Sequence, residues 1–202
     1  ELAVLSDTYL YFYGNDGELI KERQHEYASP VMCTAGGRVL LYESGGSRYS
    51  VEDSNAIIYD GSVADDSEPD KTILFARMSS EGYTAIVTTS ESFECELRVL
   101  NRTGSTIYER KCIERVSGVG FRNESSGCVL SYLNAENGAF VTSVQAISFS
   151  ENKEMWTSPG LDSLGLEVYG YDGGAFVLGI ETCGYIDSVG GISSYYRYEG
   201  AL

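Results

Sequence analysis

A short phrase, glycine followed by an apolar or β-branched run, returns four times along this chain. It reads Gly37-Arg38-Val39-Leu40-Leu41-Tyr42, then Gly82-Tyr83-Thr84-Ala85-Ile86-Val87, then Gly127-Cys128-Val129-Leu130-Ser131-Tyr132, then Gly174-Ala175-Phe176-Val177-Leu178. The glycines stand 45, 45 and 47 residues apart. Self-similarity at a period of roughly 20 to 50 residues marks a repeat architecture, in which one unit cannot bury its own apolar face and stacks on the next.

Each run is followed by a second pattern, two alternating strands around a turn of Gly, Asn, Asp or Ser. Tyr9 to Glu22 turns at Asn15-Asp16-Gly17, Glu96 to Glu109 at Thr103-Gly104, and Val144 to Thr157 at Glu151-Asn152. Weaker copies span Tyr49 to Tyr59 (turn at Ser54-Asn55) and Cys183 to Tyr198 (turn at Gly190-Gly191). Such turns need residues that tolerate positive φ, so Asn-Asp-Gly between alternating runs predicts a hairpin. One more apolar segment precedes each glycine-led run: Pro30 to Cys33, Ile73 to Met78, Val116 to Phe121 and Leu164 to Tyr169. The unit is then four strands, a-b-c-d, in about 45 residues, the signature of a β-propeller blade.

The predicted fold is all-β, a β-propeller of about five four-stranded blades within a single domain over residues 1–202. The units are expected near 2–26, 28–60, 72–112, 116–157 and 164–199. The first carries only b, c and d, so a fragment of a larger ring is an open alternative to a closed one. One segment opposes this reading: Glu18 to Tyr27 has good helix formers. Its first half is assigned to strand d because it aligns with Ser105 to Arg110.

Composition narrows function by exclusion. The formal charge of −16 repels duplex DNA and anionic membrane surfaces, so no nucleic-acid partner is expected. No apolar run approaches the ~20 residues of a membrane span. The chain begins at Glu1 without a Met, and the expectation is a start left by processing or trimming, with any signal or anchor removed. Five cysteines (Cys33, Cys95, Cys112, Cys128, Cys183) cannot all pair within the chain. Without a C-x-x-C pair and with His25 as the single histidine, they read as small buried hydrophobes and not as a zinc site.

The phrases Leu41-Tyr42-Glu43-Ser44-Gly45-Gly46, Ser79-Ser80-Glu81-Gly82-Tyr83-Thr84-Ala85-Ile86-Val87-Thr88 and Leu100-Asn101-Arg102-Thr103-Gly104 resemble those of an uncharacterised family of Gram-positive bacteria. Its members are similar to quinoprotein-like and YVTN-like propellers and carry an N-terminal membrane anchor before an extracytoplasmic domain. The resemblance implies that fold and an extracytoplasmic, membrane-anchored location. It implies no active site, because the shared phrases build blades.

No residue is assigned as catalytic, cofactor-binding or metal-binding. Asp60 to Lys71 is the densest acidic stretch, but it lacks the D-x-D-x-D-G spacing of a calcium loop and reads as a solvated loop between units. The predicted inner strands offer one clear acid, Glu167, where a glycosidase needs two. Ser80-Glu81-Gly82-Tyr83-Thr84 echoes a sialidase Asp-box without its Asp or Trp. His25 reads as a surface histidine, Trp156 as a packing residue equivalent to Tyr59 and Tyr108, and Tyr195-Tyr196-Arg197-Tyr198 as an outer strand cut short. Three functions follow in order: a binding or scaffold module for a protein or glycan partner, a carbohydrate-active hydrolase with loop-borne acids, and a cofactor binder of the quinoprotein kind. An enzyme is not the expectation, and neither is a bound cofactor.

Overall fold

The computed structural model describes residues 1–122 and 125–199, and among these the regular structure is β-strand, with no α-helix. Among the described residues no helix is long and apolar enough to cross a membrane. The chain divides into two compact units, residues 1–92 with 96–110, and residues 93–95 with 111 onward.

The first unit holds three antiparallel sheets. One is three-stranded: β1 (Leu2–Leu5), β2 (Tyr9–Tyr13) and β3 (Leu19–Gln24). The next contains β4 (Pro30–Ala35), β5 (Arg38–Glu43), β6 (Arg48–Glu52) and β7 (Ile57–Ser62). The third contains β8 (Ile73–Met78), β9 (Thr84–Thr88), β10 (Cys95–Leu100) and β11 (Thr106–Cys112), the outer ends of β10 and β11 falling to the second unit. That second unit has two sheets. They are β12 (Arg115–Phe121) to β15 (Lys153–Thr157) by way of β13 (Gly127–Glu136) and β14 (Ala139–Ser148), and β16 (Gly165–Tyr171) to β19 (Ile192–Arg197) by way of β17 (Gly174–Gly179) and β18 (Thr182–Asp187). In every sheet the strands lie side by side in chain order.

The predicted a, b, c and d segments thus become strands where the repeat put them, and the first unit has its expected three. Four of the five c–d hairpins carry a register shift just before the turn, at Phe12/Tyr13, Val51/Glu52, Ala146/Ile147 and Tyr185/Ile186. A bulge at the same place in these four copies sharpens local twist and is a feature of the repeat itself. The opposing segment also resolves as a strand: β3 pairs with β2 from Tyr9↔Gln24 to Tyr13↔Leu19. Alternation on β3 sends Lys21 and Arg23 to a buried carboxylate, Glu52 on β6, and that tertiary demand overrides helix propensity.

The recurring glycines occupy equivalent places at the start of b strands, yet they serve two physical needs. Gly37 (φ +74°) and Gly82 (φ +84°) take the left-handed conformation in the a–b turn. Gly127 and Gly174 avoid the neighbouring strand, since a Cβ would lie 2.1 Å from the Ile147 carbonyl oxygen and 1.9 Å from that of Ile186, and Gly174 also has a positive φ of +138°.

Apolar b strands fill the cores. Val39 to Tyr42 on β5, all of β9 and Gly127 to Tyr132 on β13 are buried on both faces. In the first unit Leu40, Val51, Ile73, Ala76, Ile86 and Leu100 form one cluster, with Tyr59 packed against it. In the second, Val129, Val144, Trp156, Val168, Val177 and Ile186 belong to another. Gly118 and Gly120 let β16 come close to β12, because a Cβ at Gly120 would lie 2.6 Å from the Val168 carbonyl oxygen.

Candidate functional site

The sheet β16–β19 is amphipathic in an unusual sense. One face carries Val168, Ala175, Val177 and Ile186 into the core cluster of the second unit. The alternate residues point the other way, and cross-strand register lines them into rows. Tyr169 pairs with Phe176, and Phe176 with Tyr185. Their ring centroids are 6.3 Å and 4.9 Å apart, within the range of favourable aromatic contact. Beside this row, Leu178 pairs with Cys183 and Cys183 with Tyr196. Tyr169, Tyr185 and Tyr196 are 54%, 49% and 64% exposed. A sheet face open to water is ordinarily polar. Contiguous exposed aromatic surface of this kind marks a contact surface.

The rim of this face is polar. Glu167 lies opposite Leu178. Arg197 on β19 pairs with Glu181 at 2.7 Å, and that carboxylate holds its guanidinium above the ordinary value. Tyr198 donates its hydroxyl to the Gly179 carbonyl, fastening the segment beyond β19 to β17. The tyrosine-rich tail is therefore a full outer strand, paired with β18 from Thr182↔Arg197 to Ile186↔Ile192, where a strand cut short was expected.

Other singled-out residues have structural roles. The acidic stretch is only partly a solvated loop: Asp60 to Ser62 complete β7, and Val63 is buried in the core. Lys71 is buried too, contrary to expectation, between Glu68 at 2.7 Å and Glu96. Burial works against its charge, but the two carboxylates together outweigh that and raise its pKa. Asp65 caps the turn by accepting from the Ser67 hydroxyl and the Ser67 and Glu68 amides, which lowers its pKa. Among the described residues no group of three or more His, Cys, Asp and Glu side chains is placed to hold a metal ion.

His25 is 3% exposed, which corrects its reading as a surface residue. Its Nε2 lies 3.0 Å from the Ser6 carbonyl oxygen, its ring is 5.8 Å from that of Tyr27, and its Nδ1 has no hydrogen-bond partner. Trp156 and Tyr108 are 8% and 7% exposed and Tyr59 donates to or accepts from Thr84 Oγ1 at 2.8 Å, so all three pack as expected. The Asp-box echo is a tight a–b turn closed by Gly82 N–H to the Ser79 carbonyl at 2.9 Å. Glu167 is the acid of β16, and the a strands β4, β8 and β12 carry none. The aromatic row itself escaped sequence reasoning, although the alternation of Tyr169, Tyr171, Phe176, Leu178 and Tyr185 with small aliphatic residues was its signal.

A family profile described as a family of unknown function (DUF5711) matches residues 1–157, most of the chain and all of β1 to β15. The chain belongs to DUF5711. This DUF5711 chain matches none of the curated proteins. Among solved structures it is similar to the WD40 domain of Pan2 from Neurospora crassa, with a TM-score of 0.63 and 14% identity over 98% of this chain and 63% of that one. It is also similar to the Dos1 propeller, with a TM-score of 0.67 and 12% identity over 95% of this chain and 54% of that one. The fold is thus that of β-propellers, as the repeat predicted. The DUF5711 chain spans less than two thirds of the length of either structure.

Proposed function

We propose that this DUF5711 chain is a binding or scaffold module, one repeat domain that uses a propeller face to hold a protein or glycan partner. The observation that carries the reading is the Tyr169–Phe176–Tyr185 row, with two of its rings about half exposed on a sheet whose other face sends Val168, Ala175, Val177 and Ile186 into the core. Tyrosine supplies a large contact area at small conformational cost, which is why it is enriched where proteins meet. Leu178, on the same face as the row, adds aliphatic surface, favouring a protein over a glycan.

The resemblance of the Leu41–Gly46 and Ser79–Thr88 phrases supports a location outside the cytoplasm, at the cell membrane of a Gram-positive bacterium, held by an anchor outside this sequence. Protease treatment of intact cells tests that location, since a shielded chain would contradict it.

A photo-crosslinking residue in place of Tyr185 tests the surface, alongside arrays of cell-surface proteins and glycans. A partner of either class should lose at least about tenfold in affinity on the Tyr169→Ser/Tyr185→Ser double change, equivalent to about 1.4 kcal/mol. Ile113→Ser, at an isolated position 80% exposed, should leave it unchanged. Binding that survives the double change would rule this surface out.

A further inference from the structure

Cys95 and Cys112 stand at the open end of the β10–β11 hairpin, the first residue of one strand and the last of the other. Burial alternates along both strands, with Cys95, Leu97 and Val99 buried on β10 and Tyr108 and Cys112 buried on β11. The two sulfurs therefore share one face. They are 0% and 2% exposed; the Cys95 thiol donates to the Glu114 carbonyl at 3.7 Å and has the Cys112 thiol beside it. The Glu94 amide donates to the Cys112 carbonyl at 3.1 Å, closing the strand ends together. Opposed residues in antiparallel strands have Cα atoms about 4.5 to 5.5 Å apart, inside the span a disulfide bridges.

We propose that Cys95 and Cys112 form a thiol–disulfide couple, a modification site that exchanges with low-molecular-weight disulfides of the glutathione class. The Cys95 thiolate attacks one sulfur of the reagent, forming a mixed disulfide and releasing one thiolate. Cys112, having lost its proton, then attacks the Cys95 sulfur and releases the second. Two protein thiols are oxidised by two electrons to one S–S bond, the reagent disulfide is reduced to two thiols, and the two protons pass to those leaving groups.

Cys95 is suited to the first step. The Cys112 thiol, the Val116 amide and the Arg115 charge stabilise its thiolate against burial and the Glu94 carboxylate, and its pKa falls to about 7. Access comes from the hairpin end itself. Glu91, Ser92, Glu94, Lys111 and Glu114 are exposed, and Ile113 is 80% exposed, so fraying of the terminal pair opens both sulfurs without disturbing the core. The other three cysteines lie on separate strands, β4, β13 and β18, with no such opposition.

The test uses the whole chain, equilibrated with mixtures of oxidised and reduced glutathione, quenched in acid, alkylated and mapped by mass spectrometry. A single Cys95–Cys112 bridge is expected, with Cys33, Cys128 and Cys183 alkylated. Disappearance of the Cys95 thiol should accelerate with pH and level off above about 7. Cys112→Ser should halt the reaction at a glutathione adduct on Cys95. Wild-type protein that stays fully alkylatable under excess oxidised glutathione, or that bridges other cysteines equally, overturns the assignment without reliance on any variant.

Discussion

Glu52 offers the sharpest test of how the first unit holds together. Its carboxylate is 0% exposed and receives Lys21 Nζ at 2.9 Å and Arg23 through both Nε, at 3.1 Å, and its terminal nitrogen. Ser50 donates to it at 3.4 Å. Glu52→Gln keeps the shape and removes the charge. One carboxylate oxygen becomes an NH2 group facing cationic donors, so at least one of these bonds is replaced by a donor–donor clash. Removing one partner of a fully buried pair costs about 3 to 5 kcal/mol. Lys21 and Arg23 keep 18% and 23% of their side-chain surface exposed and can partly rehydrate, which lowers the expectation to about 2 to 3 kcal/mol. For cooperative unfolding of a chain of 202 residues that is a fall in Tm of roughly 4 to 12 °C. Urea and thermal unfolding followed by far-ultraviolet circular dichroism measure it, and the cost should persist at high salt, because the carboxylate is out of reach of solvent ions. A loss below about 0.5 kcal/mol would refute the argument that a desolvated charge on β6 requires its partners on β3.

Other outcomes follow from the same structure. Gly174→Ala should destabilise by about 3 kcal/mol or more, since its Cβ would meet the Ile186 carbonyl at 1.9 Å and its φ is +138°, whereas Gly138→Ala, with open space around it, should cost about 1 kcal/mol from backbone strain alone; chemical denaturation of both measures the excess that the clash adds. Under reducing conditions the Cys95 thiol, lowered from 9.0 to about 7, adds stability that is complete above pH 9 and lost as pH falls towards 7. Stability should therefore rise between those values, and Cys95→Ser should flatten that rise in a pH series of unfolding curves. Breaking the exposed Lys153–Glu151 pair, 62% and 57% exposed, should leave the unfolding midpoint unchanged in the same assay.

Strand placement was legible because it depends on local chemistry. Asn15-Asp16-Gly17 and Thr103-Gly104 announce their turns, and the glycine-led runs announce the strands covered on both sides. What was not legible depends on which neighbour covers which face. His25 reads as polar and sits buried because β3 ends beneath the Ser6 carbonyl, and Glu52 reads as one more acid until Lys21 and Arg23 reach it from another sheet. The β17 run looks like every other b strand, yet Phe176 and Leu178 are only half-buried, where the matching positions of β9 are buried throughout. The placement of Cys95 and Cys112 at the two ends of one hairpin is legible in the sequence, because it depends only on the turn at Thr103-Gly104 and the lengths of the strands beside it.

The unbroken succession of strands within each sheet has a consequence for synthesis. Every strand described finds its hydrogen-bonding partner in the strand just before or just after it, so pairing never waits for distant sequence to emerge from the ribosome. Hairpins can zip one after another, leaving the stacking of finished sheets as the slower, side-chain-dependent event. Newly made protein would then pass through states with one bare sheet at the growing end, and it is there that chaperones or premature association would act.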